Sequence, residues 1–254
     1  MIIKNQEKTP KINDKMFGQT LQILGVKVNS TELVEVLRFV RRKITQKRKF
    51  WIVTPNPEFI VASQKDSQFK KILNSADLAI PDGQGLVLAS KFLGTKPGLS
   101  ERVAGSDLVC KLLEEASKEN WRIGIVGARR GEREEIRELI NRIKQKFPGL
   151  EIEALEQTLD WSKQKFEIVF ACQGMKLQEK WIFKNFKKTN ASLFMGIGGA
   201  LDFLSGFSKR APQWIRNLGL EWFWRFLTRP SHLKRILIAC FYFPYLVLKE
   251  KVRS

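Results

Sequence analysis

The chain has 254 residues, 43% hydrophobic and 28% charged, which suits a packed core with a buried sheet and excludes a disordered or fibrous chain. Lys and Arg number 45 against 26 Asp and Glu, a formal charge of +19, so a polyanionic partner is expected: nucleic acid, an anionic membrane surface or a phosphate-bearing substrate. A single histidine, His232, argues against Ser-His-Asp and Cys-His catalysis and against His-based metal sites, and leaves proton transfer near neutral pH mainly to carboxylates. Cys110, Cys172 and Cys240 lie far apart with no C-x-x-C pair, as free thiols in a reducing compartment do.

Residues 1–18 read as a polar tail. "MIIKNQEKTPKINDK" turns polar after three residues, unlike a secretory leader, so a cytoplasmic location is expected. From residue 19 to 208, apolar strand runs alternate with amphipathic helical patterns, the signature of a mainly parallel Rossmann-like α/β sheet with helices on both faces. "FWIVTPN" (50–56) leads into "PEFIVASQKDSQFKKILN", "ADLAIPD" (76–82) into "GQGLVLASKFLG", and "WRIGIVGARRG" (121–131) into "EREEIRELINRIKQKF". "LEIEAL" (150–155) is a further strand; "FEIVFACQG" (166–174) leads into "QEKWIFKNFKK", and "ASLFMGIGG" (191–199) into "ALDFLSG". Ligands of such sheets bind where the strands end, which groups Thr54, Asn56, Asp82, Gly127, Gly174, Gln178 and the Gly196–Gly199 loop along one edge.

Each of these loops also has a purely structural explanation. Pro81-Asp82-Gly83 is ordinary turn chemistry, and a carboxylate at a strand end can equally take a proton; both roles stay open. Asn56 before Pro57 is a good helix N-cap followed by proline at the first helical position. The glycines of "GIVGARRG" are spaced G-x-x-G-x-x-x-G, unlike a dinucleotide fingerprint, so NAD or FAD binding has only weak support, and a nucleotide-cofactor enzyme of other chemistry stays as an alternative. A glycine-rich turn opening a helix still suits a nucleoside diphosphate.

Several segments in order resemble the WecG/TagA/CpsF glycosyltransferases, which build bacterial cell-surface polymers: "TPNPEFIVASQKD" (54–66), "ADLAIPDGQGLVLASK" (76–91), "ERVAGSDL" (101–108), "QEKWI" (178–182) and "GIGGALDFLSGFSKRAPQWIRNLGLEWFWRF" (196–226). The resemblance implies inverting transfer of an N-acetylmannosamine-type sugar from a UDP donor to a polyprenyl-diphosphate-linked N-acetylglucosamine, without an essential metal or other cofactor. It implies Asp82 as general base, Thr54 and Asn56 in the same pocket, and Arg102 and Gln178 on the substrates. Gly83, Gly85, Gly127, Gly174, Glu179, Gly198, Gly199 and Arg210 are assigned to substrate binding, with Arg129 and Arg130 as further candidates for the diphosphate. The family's G-A-P-x-Q-E stands here as "GMKLQE", which lacks the proline.

From Lys209 the composition turns basic and aromatic, and residues 209–254 read as an amphipathic helical appendage. Trp214, Leu218, Trp222 and Phe226 recur every four residues, among Arg216, Arg225, Arg229 and Arg235. The run at 236–248 contains Pro244 and is too short to span a bilayer, for which about 20 residues are needed. Peripheral attachment to the inner face of the cytoplasmic membrane is therefore expected, beside the alternative of a helical hairpin packed on the protein's own core. A competing class, a basic nucleic-acid-binding protein, lacks a recognisable RNA-binding signature, and no nucleic-acid partner is expected. A homo-oligomer stays open.

Overall fold

The computed structural model describes residues 19–96, 98–155, 164–217, 221–228 and 233–253. A short antiparallel hairpin, β1 (Thr20–Ile23) and β2 (Val26–Asn29), precedes helix α1 (Leu33–Thr45). Six strands then build the main sheet: β3 (Phe50–Val53), β4 (Leu78–Ala79), β5 (Arg122–Val126), β6 (Glu151–Ala154), β7 (Lys165–Ala171) and β8 (Asn190–Gly196). Their order is β4-β3-β8-β7-β5-β6, and every pairing is parallel. All six carboxyl ends therefore open on one edge.

The strands are near-continuous apolar runs because both faces are covered. Trp51, Val53, Ala79, Val169, Ala171 and Phe194 point to one side, where they meet the hairpin and helices α2 (Pro57–Gln64), α3 (Ser67–Asn74), α4 (Gln84–Leu93) and α7 (Leu177–Asn185). Phe50, Ile52, Leu78, Ile123, Ile125, Ile168, Phe170, Leu193 and Met195 point to the other, against α1, α5 (Gly105–Glu119), α6 (Arg133–Lys146) and α8 (Ala200–Leu204). This is the α/β sheet with helices on both faces that the alternation predicts.

Residues 57–74, read from sequence as one helical run, form two helices. The chain breaks at Lys65-Asp66, where Asp66 leaves helical geometry and its Oδ1 accepts the Phe69 N–H at 2.9 Å, capping α3. Asn56 does the same for α2, accepting the Phe59 N–H at 3.1 Å, with Pro57 next to it.

Among the described residues the chain closes with the helices α9 (Gln213–Asn217), α10 (Glu221–Thr228), α11 (Leu233–Leu237) and α12 (Phe243–Arg253). A π-helical turn over Ile238–Tyr242 joins the last two. Pro244 has no N–H to give the turn before it, and a widened turn is one way a helix absorbs that loss. Ile236, Phe243 and Val247 are buried, and the last two belong to the core cluster under α2 and α4. Packing on the protein's own core is thus realised for the inner face of α11 and α12. No helix among the described residues is long and apolar enough to cross a membrane.

Candidate active site

Two adjoining cavities occupy the carboxyl edge of the sheet. The smaller, of about 250 Å³, is lined by Thr54 and Asn56 beyond β3, Asp82 and Arg102 beyond β4, Gly105 and Ser106 at the start of α5, Gly174 and Gln178 beyond β7, Gly196 to Ala200 beyond β8, and Arg235 from the tail. The larger, of about 590 Å³, lies beyond β5 and β7 and is lined by Ala128 to Arg130, Glu135, Cys172 to Gly174, Gly198, Gly199 and Asp202. Gly174, Gly198, Gly199 and Asp202 border both. The chain leaves β5 toward β6 on one side and β7 toward β8 on the other, so the larger cavity sits at a switch point, where open α/β sheets bind ligands.

Asp82 is carried on a loop that continues the strand pairing: Ile80 N–H bonds Val53 O, Asp82 N–H bonds Pro55 O, and Val103 N–H bonds Pro81 O, at 2.9 to 3.0 Å. Gly83 then takes φ +131°, which side chains rarely adopt, so the turn needs this glycine while Asp82 faces the cavity. Turn and carboxylate roles coexist. Asn56 likewise caps α2 through Oδ1 while lining the same cavity, which leaves its amide N–H₂ for a ligand.

Sequence reading missed Gly105. A Cβ there would lie 3.3 Å from Thr54 Cγ2 and 3.4 Å from Asp82 Oδ2, so the bare first residue of α5 makes room for both side chains. It also missed Glu58, whose Oε2 accepts from Arg235 Nε at 2.6 Å. That pair ties the tail to the rim of the cavity across 177 positions of sequence, a separation that no local pattern reveals.

The larger cavity is shaped by a strained turn. Gly127, Arg129 and Arg130 have φ of 66°, 47° and 55°. Two consecutive non-glycine residues in the left-handed region cost on the order of 1–3 kcal/mol each, and such strain clusters at ligand sites. Arg129 is held by Glu135 at 2.7 Å and Asp202 at 3.4 Å and stacks on Phe207, which leaves exposed Arg130 as the more available cation. Cys172 is a neutral thiol: burial pushes its pKa up.

The remaining predicted residues fall elsewhere. Gly83 and Gly85 shape the start of α4, where a Cβ on Gly85 would lie 3.0 Å from Pro57, and Gly127 turns behind the larger cavity with Gln173 against it. Arg210 lines neither cavity; it pairs with Asp107 on α5 at 2.7 Å. Glu179 is buried behind Gln178 and not on a cavity wall. Trp214 is exposed. Leu218 and Arg229 lie outside the described residues, as do the side chains of Arg216, Trp222, Arg225 and Phe226.

Fold and site together define an α/β enzyme whose cleft, at the carboxyl edge of a parallel sheet, sets the Asp82 carboxylate among arginines, amides and glycine-rich turns. Residues 21–254 match the Glycosyl transferase WecG/TagA/CpsF family, and the chain belongs to it. Two relatives named N-acetylglucosaminyldiphosphoundecaprenol N-acetyl-beta-D-mannosaminyltransferase are similar: one from Bacillus spizizenii, 34% identical over 203 residues (76% of this chain, 77% of the relative), and one from Bacillus subtilis, 32% over 235 residues (89% of each). A Staphylococcus aureus enzyme of the same name is 26% identical over 265 aligned positions (99% of this chain, 97% of the relative).

Proposed function

We propose that the protein transfers N-acetylmannosamine from UDP to an N-acetylglucosamine linked through diphosphate to a polyprenol, in the assembly of a teichoic acid or related surface polymer. The observation that carries this reading is Asp82 with Thr54, Asn56 and Arg102 in one cavity, on a chain aligned over most of its length with enzymes named for that transfer. The acceptor hydroxyl oxygen forms the new bond to the anomeric carbon, and its proton passes to the Asp82 carboxylate. The bond from that carbon to the diphosphate oxygen breaks on the opposite face, so configuration inverts and the electron pair leaves with UDP. The larger cavity is assigned to the donor. Arg130 in the larger cavity and Arg102 in the smaller meet the charge that develops on the leaving diphosphate, beside the Gly198-Gly199 turn that borders both. No metal or other cofactor has an assigned step in this scheme.

A lipid-linked acceptor requires a membrane-facing side. Opposite its buried Phe243 and Val247, α12 exposes Tyr245, Leu248 and Val252, with Lys249, Lys251 and Arg253 among them, and the π-helical turn before it exposes Phe241. Core helix α4, which leaves the Asp82 loop, exposes Leu88 and Phe92 beside it; Lys251 Nζ bonds Leu93 O and the Phe243 ring packs on Gly85. Apolar stripes bordered by cations suit the interface of an anionic leaflet, and this side is assigned to the inner face of the cytoplasmic membrane. Incubation of the full chain with UDP-N-acetylmannosamine and a short-chain polyprenyl-diphosphate N-acetylglucosamine tests the reading: a β-linked disaccharide lipid and free UDP are expected. Absence of transfer with this pair, or retention of the donor's anomeric configuration, would overturn it.

A further inference from the structure

We propose that Glu179 is a positioning residue that fixes the polarity of the Gln178 amide, so that the free Nε2 hydrogen of Gln178 is the donor presented to the ligand in the Asp82 cavity. The substrate group at that point must then be an oxygen acceptor, a phosphate oxygen or an acetamido carbonyl. The glycosyl-transfer reading enters only in naming those two groups.

Gln178 is 3% exposed and Glu179 1% exposed, so both depend on partners within the protein. Gln178 Nε2 donates to Glu179 Oε1 at 2.6 Å, and Gln178 Oε1 accepts the Gly198 N–H at 2.9 Å. These two bonds orient the amide; one Nε2 hydrogen and one lone pair of the Gly198-bound Oε1 remain on a side chain that lines the cavity. Gly196 closes the other side: a Cβ there would lie 2.6 Å from Nε2. Turning the amide over would set its oxygen against the Glu179 carboxylate and its N–H₂ against the Gly198 N–H. Two bonds would become two repulsions. The other Glu179 oxygen, Oε2, accepts the Lys176 N–H at 2.7 Å and so holds Lys176 at its left-handed φ of 73°, where the family's proline is missing.

A carboxylate accepts from both donors only while ionised. Burial raises the Glu179 pKa to about 7, against the opposing pull of the bonds from Gln178 and Lys176. The charged groups on the helices around it are Lys176 just before α7, Lys180 and Lys184 on α7, Asp66 just before α3 and Lys70 and Lys71 on α3, with Asp202 beyond the Gly198 turn; Lys176 and Asp66 pair with each other at 3.1 Å. A carboxyl whose folded pKa is raised favours folding most at acid pH, and that contribution is lost as pH rises through about 7. Positioning runs the other way, because protonation at Oε1 forces the Gln178 amide to turn. Stability and turnover should respond to this group in opposite directions.

The test uses the full chain, with turnover and calorimetric binding of UDP and of UDP-N-acetylmannosamine from pH 5.5 to 8.5. Wild-type turnover is expected to fall on the acid side of about pH 7. Glu179→Gln can accept from only one of the two donors, so turnover at pH 8 should drop tenfold or more and the acid limb should disappear. Gln178→Ala should lose the same limb with Glu179 intact, and the double variant should be no worse than Gln178→Ala alone. The Gln178→Ala profile also decides the matter if Glu179→Gln does not fold. Weaker binding of both ligands places the acceptor oxygen on a phosphate; weaker binding of the nucleotide sugar alone places it on the acetamide. A Glu179→Gln protein with wild-type turnover and pH profile, or a Gln178→Ala protein that keeps the limb, would overturn the proposal. Failure of the wild type to transfer sugar would defeat the functional reading instead, and the pH dependence of ligand binding would still report on Gln178.

Discussion

Arg235→Ala cuts the ion pair with Glu58 that joins the tail to the rim of the catalytic cavity. The Glu58 side chain is 11% exposed and Arg235 48%, so the pair lies between an exposed bridge, worth about 0–1 kcal/mol, and a buried one, whose breakage costs about 3–5 kcal/mol. Roughly 2 kcal/mol is expected, most of it from leaving the Glu58 carboxylate unpaired. For a chain of this length that corresponds to a fall in Tm of about 4–8 °C. The same substitution removes a cation from the cavity wall, and loss of one charge-assisted contact of about 1.5–3 kcal/mol should lower kcat/KM by about 10- to 100-fold. Exchanging the partners, Glu58→Arg with Arg235→Glu, should restore most of the Tm and little of the activity, since the cation no longer sits on the tail. Thermal melts and transfer kinetics on the three proteins separate docking from chemistry. Unchanged Tm and unchanged kcat/KM in Arg235→Ala would refute both roles.

Gly105→Val adds methyl groups about 1.5 Å beyond a Cβ position that already touches Thr54 and Asp82. Displacement of Asp82 should cost about 10²-fold in kcat, while UDP binding in the larger cavity, read by calorimetry, should change little. Leu88→Glu with Phe92→Glu should lower flotation with anionic vesicles several-fold and leave turnover on a soluble acceptor intact; undiminished flotation would remove α4 from the membrane side. Chelator should leave the transfer rate within about twofold, because the leaving-group charge is assigned to arginines; loss of activity reversed by Mg²⁺ or Mn²⁺ would contradict that assignment.

The strands were legible because a doubly covered parallel sheet writes itself as apolar runs: "FWIVTPN", "FEIVFACQG" and "ASLFMGIGG" contain β3, most of β7 and β8 almost residue for residue. Their loops were legible because helix-opening residues such as Asn56 and Gly83 follow each run. The hairpin β1–β2 was not singled out, since its two strands are only four residues each. The division of α2 from α3 depends on a single cap, Asp66. The site itself was half visible. Asp82, Thr54, Asn56, Arg102 and Gln178 converge as expected, but which residues act behind them depends on packing across the fold: Glu58 meets Arg235, Gly105 clears Asp82, and Glu179 turns from cavity to interior. The tail looked like an appendage by composition, yet Phe243 and Val247 enter the core, because an amphipathic pattern does not say whether its apolar face meets lipid or protein.

The central claim is that the carboxylate of Asp82 takes the proton of the attacking hydroxyl, and Asp82→Asn tests it most directly. The amide keeps the shape of the loop, whose Asp82 N–H bond to Pro55 O is made by backbone alone, while it removes the base. The measurement is single-turnover transfer from UDP-N-acetylmannosamine to the lipid-linked acceptor, with Tm and UDP affinity determined on the same preparation. The account predicts a rate lowered about 10²- to 10⁴-fold with Tm and UDP affinity unchanged. A rate within threefold of wild type would return Asp82 to the role of a turn residue and contradict the mechanism.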